Sequence, residues 1–162
     1  MSTERLWTPW RMAYIRQAGR DEGCVLCDLP AAGDDPANHI LGRGELVYAL
    51  LNSFPYNPGH LMVVPYRHVG TLDDLTEAEL LELTTLTRDA VAAIRSVSAP
   101  HGFNIGLNLG GVAGGSLSEH LHQHVVPRWS GDANFIAVTA QTKVIPQLLS
   151  ETRDLIAAAW PH

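Results

Sequence analysis

Three observations predict an α+β fold built on an antiparallel sheet with one long helix. Short apolar runs at residues 46–51, 60–64 and 103–109 are each bounded by glycine, proline, asparagine or serine. One long stretch of helical periodicity, opening at Thr76, separates the second run from the third. Finally, residues 120–126 set three histidines at alternate positions in an apolar segment, and a strand would bring such positions onto one face. Strands joined by tight turns around a single inserted helix argue against a repeating βαβ array.

Taken in order, residues 46–51 (Leu-Val-Tyr-Ala-Leu-Leu) read as a buried strand, and Ser53 to Gly59 as a turn-rich connector. A second strand over 60–64 stops at Pro65. Thr76 with Glu79 three residues on matches a capping box, and Leu80, Leu83, Val91 and Ile94 continue at helical spacing to about residue 97. Pro100 and Gly102 end that helix. A third strand follows over 103–109, then a loop with Gly110, Gly111, Gly114 and Gly115, then the histidine strand. A final helix is expected over 145–159. The chain shows no internal repeat and reads as one domain over 1–162, with residues 1–21 an N-terminal arm and 143–162 a C-terminal helix and tail.

A chain of 162 residues can bury a sizeable core without disulfides. A net charge of −6 with 46% hydrophobic residues excludes a disordered chain and a generally basic nucleic-acid binder, so a polyanionic substrate has to be held by local donors. The N-terminus has no apolar run followed by a small-residue cleavage site, and no stretch approaches a membrane span of roughly 20 apolar residues. A cytoplasmic location and no membrane partner are expected.

Chemistry is suggested first by the alternating histidines, because neutral imidazole is a nucleophile and a base and its protonated form an acid near neutral pH. A three-histidine metal site is the rival reading. Lone histidines such as His39 and His101 read as surface or core residues. Both cysteines lie in Cys24-Val25-Leu26-Cys27. A redox pair wants a helix N-terminus in a thioredoxin-like βαβ unit, whereas Pro30, Gly33 and Pro36 follow closely here, which favours a metal clamp. Two thiolates need two further ligands, and His39, His68 and His120 are the candidates. The glycine loop before the histidines allows backbone N–H groups to approach an anion and form a nest for phosphate oxygens.

With these pieces assembled, the chain resembles the histidine-triad (HIT) family of nucleotide hydrolases and transferases. The resemblance rests on His120-Leu121-His122-Gln123-His124-Val125-Val126, with polar Gln123 at one usually apolar position, on residues 52–65, and on Asn108 with the Gly-Gly loop. A nearer likeness, to the actinobacterial diadenosine tetraphosphate phosphorylase branch, adds residues 5–15, residues 114–119, Arg128-Trp129 and residues 131–135. It implies cleavage of the dinucleotide with inorganic phosphate as co-substrate to give ADP and ATP. Ser116 stands where the hydrolase and phosphoramidase branches usually carry glutamine, which leaves room for phosphate in place of a positioned water.

The resemblance further implies that His122 is the nucleophile, forming a nucleotidyl-histidine, and that His124 donates to phosphoryl oxygens. Asn52 matches the ribose-binding position, Leu46, Phe54 and Leu61 are possible neighbours of the base, and His60 lies behind the reacting groups. Asn108, Gly115 and Ser116 belong to the phosphate segment. Trp129 would stack on a base or pack structurally, and Trp7 and Trp10 would suit a subunit contact. Structural zinc is implied on Cys24, Cys27, His68 and His120, with His39 the alternative fourth ligand. The partners implied are a small nucleotide substrate and further copies of the chain, as a homodimer or homotetramer. The same triad would also suit a dinucleoside polyphosphate hydrolase or a nucleotide phosphoramidase, and a non-catalytic nucleotide-binding regulator would not need it intact.

Overall fold

A computed structural model describes residues 23–113, 117–132 and 145–161. The expected N-terminal arm, Trp7, Trp10, Gly114, Gly115 and Ser116 lie outside these residues. The elements are α1 (Val25–Ala31), β1 (Ile40–Arg43), β2 (Val47–Leu51), β3 (Leu61–Pro65), α2 (Glu77–Ser98), β4 (Gly102–Leu107), β5 (Gln123–Arg128) and α3 (Leu149–Ala158). The five strands form one sheet in the order β1-β2-β3-β5-β4, and every neighbouring pair is antiparallel. No described helix is long and apolar enough to cross a membrane.

The continuous apolar runs of β2 and β3 follow from their place in the sheet, because every residue in both strands is buried. One face carries α2, whose Leu83, Leu86, Ala90 and Ile94 pack with Val47, Ala49, Leu61, Val63 and Val125. On the other face Leu26 of α1 packs with Ile40, Tyr48, Leu50, Met62 and Val64. Strands covered on both faces need no polar alternation.

The long helix begins where the sequence places it. The Thr76 side chain accepts from the Glu79 backbone N–H at 3.2 Å and the Glu79 carboxylate accepts from the Thr76 backbone N–H at 2.8 Å. Glu79 also accepts two bonds from Arg67, at 2.9 and 2.7 Å, so a nearly buried carboxylate is fully partnered. The Arg67 guanidinium, against the opposing effect of burial, holds its carboxyl down at about 2. At the far end Ala99 adopts the left-handed conformation with φ 44° and closes the helix.

Two elements appear that the sequence did not announce, and two expectations are corrected. Residues 25–31 form a short helix despite Pro30, held by hydrogen bonds that its carbonyls accept from outside: Tyr48 Oη to Leu26 O at 2.6 Å, Asn38 Nδ2 to Leu29 O at 3.1 Å and Arg43 Nη2 to Pro30 O at 2.8 Å. Strand β1 is an element the sequence did not announce; Gly42 admits the Trp160 indole so closely that a Cβ would lie 2.3 Å from its Nε1. The final helix starts at Leu149 rather than at residue 145, since the residue before Pro146 is biased away from helical ψ and Leu148 is extended.

The second correction concerns the triad. Strand β5 begins at Gln123, so only His124 lies in the ladder and His120 and His122 precede it. Continuing the β3–β5 register would set Leu121 opposite Pro65, which has no N–H to give. The Leu121 N–H turns to Val69 O instead, at 2.6 Å, and the Pro65 carbonyl accepts from His120 Nε2 at 2.8 Å.

Because Glu79 joins the cap of α2 to Arg67, Glu79→Ala is expected to lower the unfolding free energy by about 2–3 kcal/mol. Urea denaturation at neutral pH measures it, and a loss below about 0.5 kcal/mol would show the network to be ornamental.

Candidate functional site

The imidazoles of the triad point to different partners, and main-chain groups select the tautomer of each. His120, 1% exposed, donates from Nε2 to Pro65 O, which leaves the Nδ1 lone pair facing Cys24 Sγ at 3.2 Å and Cys27 Sγ at 3.5 Å. Burial also lowers its pKa, which favours the neutral ring. His122, 7% exposed, donates from Nδ1 to the carbonyl of His120 at 2.8 Å, so its Nε2 carries the lone pair when neutral.

His124 is set at one remove. The Tyr56 backbone N–H donates to His60 Nδ1 at 3.0 Å, so neutral His60 must hold its proton on Nε2 and donate it to His124 Nδ1 at 3.0 Å. His124 therefore carries its own proton on Nε2. The Asn108 side-chain amide lies 3.4 Å from that nitrogen, which calls for its oxygen on that side. His60 is fully buried; burial first, then the neighbouring His124 and His122, push its pKa down to about 3. The His122 and His124 rings meet edge to face with centroids 4.9 Å apart.

Ligand atoms of Cys24, Cys27, His68 and His120 all lie within 4.8 Å of one another. Cys24 caps the N-terminus of α1 and Cys27 sits in its first turn, while Cys27 Sγ is 3.5 Å from His68 Nδ1. Two sulfurs and two imidazole nitrogens suit a closed tetrahedral zinc site. Burial and then Cys24 push the Cys27 thiol up to about 11, so a cation is what would let two adjacent thiols ionise together. The donor set fits the metal. His39 is not part of the cluster: it sits at φ 56° with Nδ1 buried and without a hydrogen-bond partner among the described residues.

Two cavities border the triad. One of about 690 Å³ lies between α1 and β2–β3, where Val25, Leu29, Leu50, Phe54 and Met62 supply apolar walls and Asn52, Cys24 and His120 the polar ones. The other, about 520 Å³, opens over β4–β5 and is lined by Asn104, Asn108, His124 and Arg128 among others. Thus Asn52 and Phe54 share the first cavity, whereas Leu61 is buried in the core and Leu46 stands at a turn, its N–H donating to Glu82 at 2.9 Å. Trp129 is in neither; its indole donates to Ser98 O at 3.2 Å, at the end of α2. Sequence reasoning missed Val25 and Leu29, because Pro30 hid the helix that presents them. Gly115 and Ser116 are outside the described residues.

Comparison with known proteins gives a consistent result. A model of the HIT domain matches residues 35–131. The AP-4-A phosphorylase of Mycobacterium tuberculosis is 54% identical over 97% of this chain and 84% of its own length. The asymmetrical bis(5'-nucleosyl)-tetraphosphatase of Schizosaccharomyces pombe is 37% identical over 59% of this chain and 52% of its own. A crystal structure of a zinc-bound histidine triad family protein from Mycobacterium smegmatis superposes with a TM-score of 0.69 at 25% identity, covering 85% of this chain and 92% of that one.

The depressed pKa of His60 carries a signed consequence for stability. The unfolded chain takes up a proton at this histidine as pH falls through about 6.5, while the native state resists until about 3. Within that window the unfolded state binds more protons, so stability falls with pH. Between pH 7 and pH 5 the loss is expected to be about 2 kcal/mol, and His60→Asn should remove that part of the slope. Parallel urea curves for wild type and variant at the two pH values test this; equal slopes would refute it.

Proposed function

The chain belongs to the HIT domain family, and from that premise we propose that it is a nucleotidyltransferase that splits diadenosine tetraphosphate with inorganic phosphate into ADP and ATP. The observation that carries the reading is the His122 geometry: Nδ1–H is committed to the His120 carbonyl, so the neutral ring presents an Nε2 lone pair beside a donor on His124. The name of the Mycobacterium tuberculosis relative supports the choice of substrate.

In the proposed reaction, His122 Nε2 attacks the α-phosphorus, a P–N bond forms, and the bond to the bridging oxygen breaks to release ATP. His124, holding its proton on Nε2, donates to the phosphoryl oxygens as charge develops. An oxygen of inorganic phosphate then attacks the same phosphorus, the P–N bond breaks, and ADP leaves with the histidine restored. Two in-line displacements give net retention. Asn52 serves the ribose in the apolar cavity and Asn108 the phosphates, with Gly115 and Ser116 assigned to the phosphate segment on sequence grounds.

Cys24, Cys27, His68 and His120 would hold zinc. With all four ligand positions supplied by these side chains, the metal would contribute structure and would leave no place for an activated water. Trp129, whose indole is bonded to Ser98 O within one copy of the chain, is assigned to the substrate on sequence grounds alone. Two or four copies are expected to associate.

Two measurements test the reading. Incubation with diadenosine tetraphosphate, with and without phosphate, should yield ADP plus ATP only when phosphate is present, and His122→Ala should lose at least a thousandfold in rate while staying folded. AMP plus ATP regardless of phosphate would make the protein a hydrolase, in keeping with the Schizosaccharomyces pombe relative. For the metal, purified wild type and His39→Ala should carry one zinc per chain and His68→Ala markedly less; equal contents in both variants would remove His68 from the ligand set.

A further inference from the structure

The sheet beyond His124 carries a pattern that the chemistry at His122 leaves unused. Along β4 and one step past it, Gly102, Asn104, Gly106 and Asn108 alternate with Phe103, Ile105 and Leu107. Phe103 and Leu107 pack against the core on the α2 side, so the glycines and asparagines share the face that carries His124. The register sets Asn104 opposite Val126, Gly106 opposite His124 and Gly102 opposite Arg128. Together these rows floor the 520 Å³ cavity.

Packing does not account for the pattern. Glycine weakens a strand interior and asparagine is a poor strand former. A Cβ at Gly102 or Gly106 would meet nothing within 4 Å among the described residues, so none of these excludes a side chain there. What the pattern does provide is an unobstructed floor with amide donors at intervals. Arg128 adds a cation: its Nη1 donates to Asn104 Oδ1 at 2.7 Å, while Nε and Nη2 donate to Asp132 at 2.6 and 3.0 Å. With its oxygen taken by the guanidinium, Asn104 has its Nδ2 hydrogens to offer a ligand.

The two cavities differ in charge. The described lining of the apolar one includes Asp28 and Glu119 and contains no lysine or arginine. From this asymmetry we infer that the β4–β5 cavity seats the departing nucleoside triphosphate, its phosphates running from His122 past His124 over Gly106 to Asn104 and Arg128. The inference rests on the dinucleotide reading above and adds to it a second arm. From His124 to Arg128 the strand advances roughly 13 Å, enough for a chain of phosphates. The transferred nucleotide keeps the apolar cavity, where no fixed cation is needed.

The test compares two substrates that share the transferred AMP and differ in what departs: diadenosine tetraphosphate and the p-nitrophenyl ester of AMP. Asn104 is exposed, so Asn104→Ala and Asn104→Leu should both fold, as circular dichroism will verify. For the dinucleotide, kcat/KM should fall about fivefold in Asn104→Ala and at least tenfold in Asn104→Leu, and it should stay within twofold for the ester. Product inhibition by ATP should weaken in parallel. Equal losses on both substrates, or no loss on either, would overturn the second arm while leaving the dinucleotide reading intact. A wild-type protein that cleaves the ester and ignores the dinucleotide would overturn the reading itself, and the second arm with it.

Discussion

The site depends on the position of one residue, His120. Its Nε2–H is taken by the carbonyl of Pro65, its Nδ1 faces the two cysteine sulfurs, and its own carbonyl takes the Nδ1–H of His122. A single residue thus sits where the β3–β5 ladder ends, joins the candidate metal cluster and selects the tautomer of its neighbour. Moving His120 would alter all three at once. Its bond to the Pro65 carbonyl joins distant parts of the chain and is buried, where an unmet partner is costly, so few alternative arrangements compete.

The sheet converts this arrangement into a site by having two unlike faces. Helix α2 fills one face with aliphatic side chains, and Gln123 reaches back from β5 to it, donating to Thr87 Oγ1 at 2.7 Å. The polar residue at a usually apolar motif position therefore ties the histidine strand to the core. The other face is only partly covered by α1, and cavities open on either side of the triad. Helix α1 has seven residues, one a proline, and would not persist alone. Side-chain donors from Tyr48, Asn38 and Arg43 hold its carbonyls, and the metal-ligand cluster ties its N-terminus to His68 and His120.

Much of this was legible in the sequence wherever a local rule governs. The Thr76 and Glu79 box marked the start of α2, and the buried runs marked β2 and β3, because capping and burial act on neighbouring residues. The motif at 120–126 marked the triad. Features set by distant partners were not legible: β1 depends on the Trp160 indole lying over Gly42, and α1 depends on three donors far along the chain. The alternation of histidines suggested one continuous strand, but Pro65 on the facing strand ended the ladder first. Spacing alone left His39, His68 and His120 open as partners of the cysteines; the family resemblance favoured His68 and His120, and these are the two in the cluster.

On the proposed reading, phosphoryl chemistry on a chain of net charge −6 poses an electrostatic difficulty that neutral donors would meet. A buried imidazolium pair beside His122 would attract a polyanion, but desolvation disfavours charge on His60, and a protonated His122 would have no lone pair to offer as the proposed nucleophile. The Tyr56 N–H, by claiming His60 Nδ1, keeps the relay in a neutral form in which His124 donates without being ionised. Fixed positive charge is kept at a distance, on Arg128, where Asp132 moderates it. Under the proposed roles the arrangement would separate two demands that conflict if met by the same group: holding a polyanion and keeping a nitrogen nucleophile unprotonated.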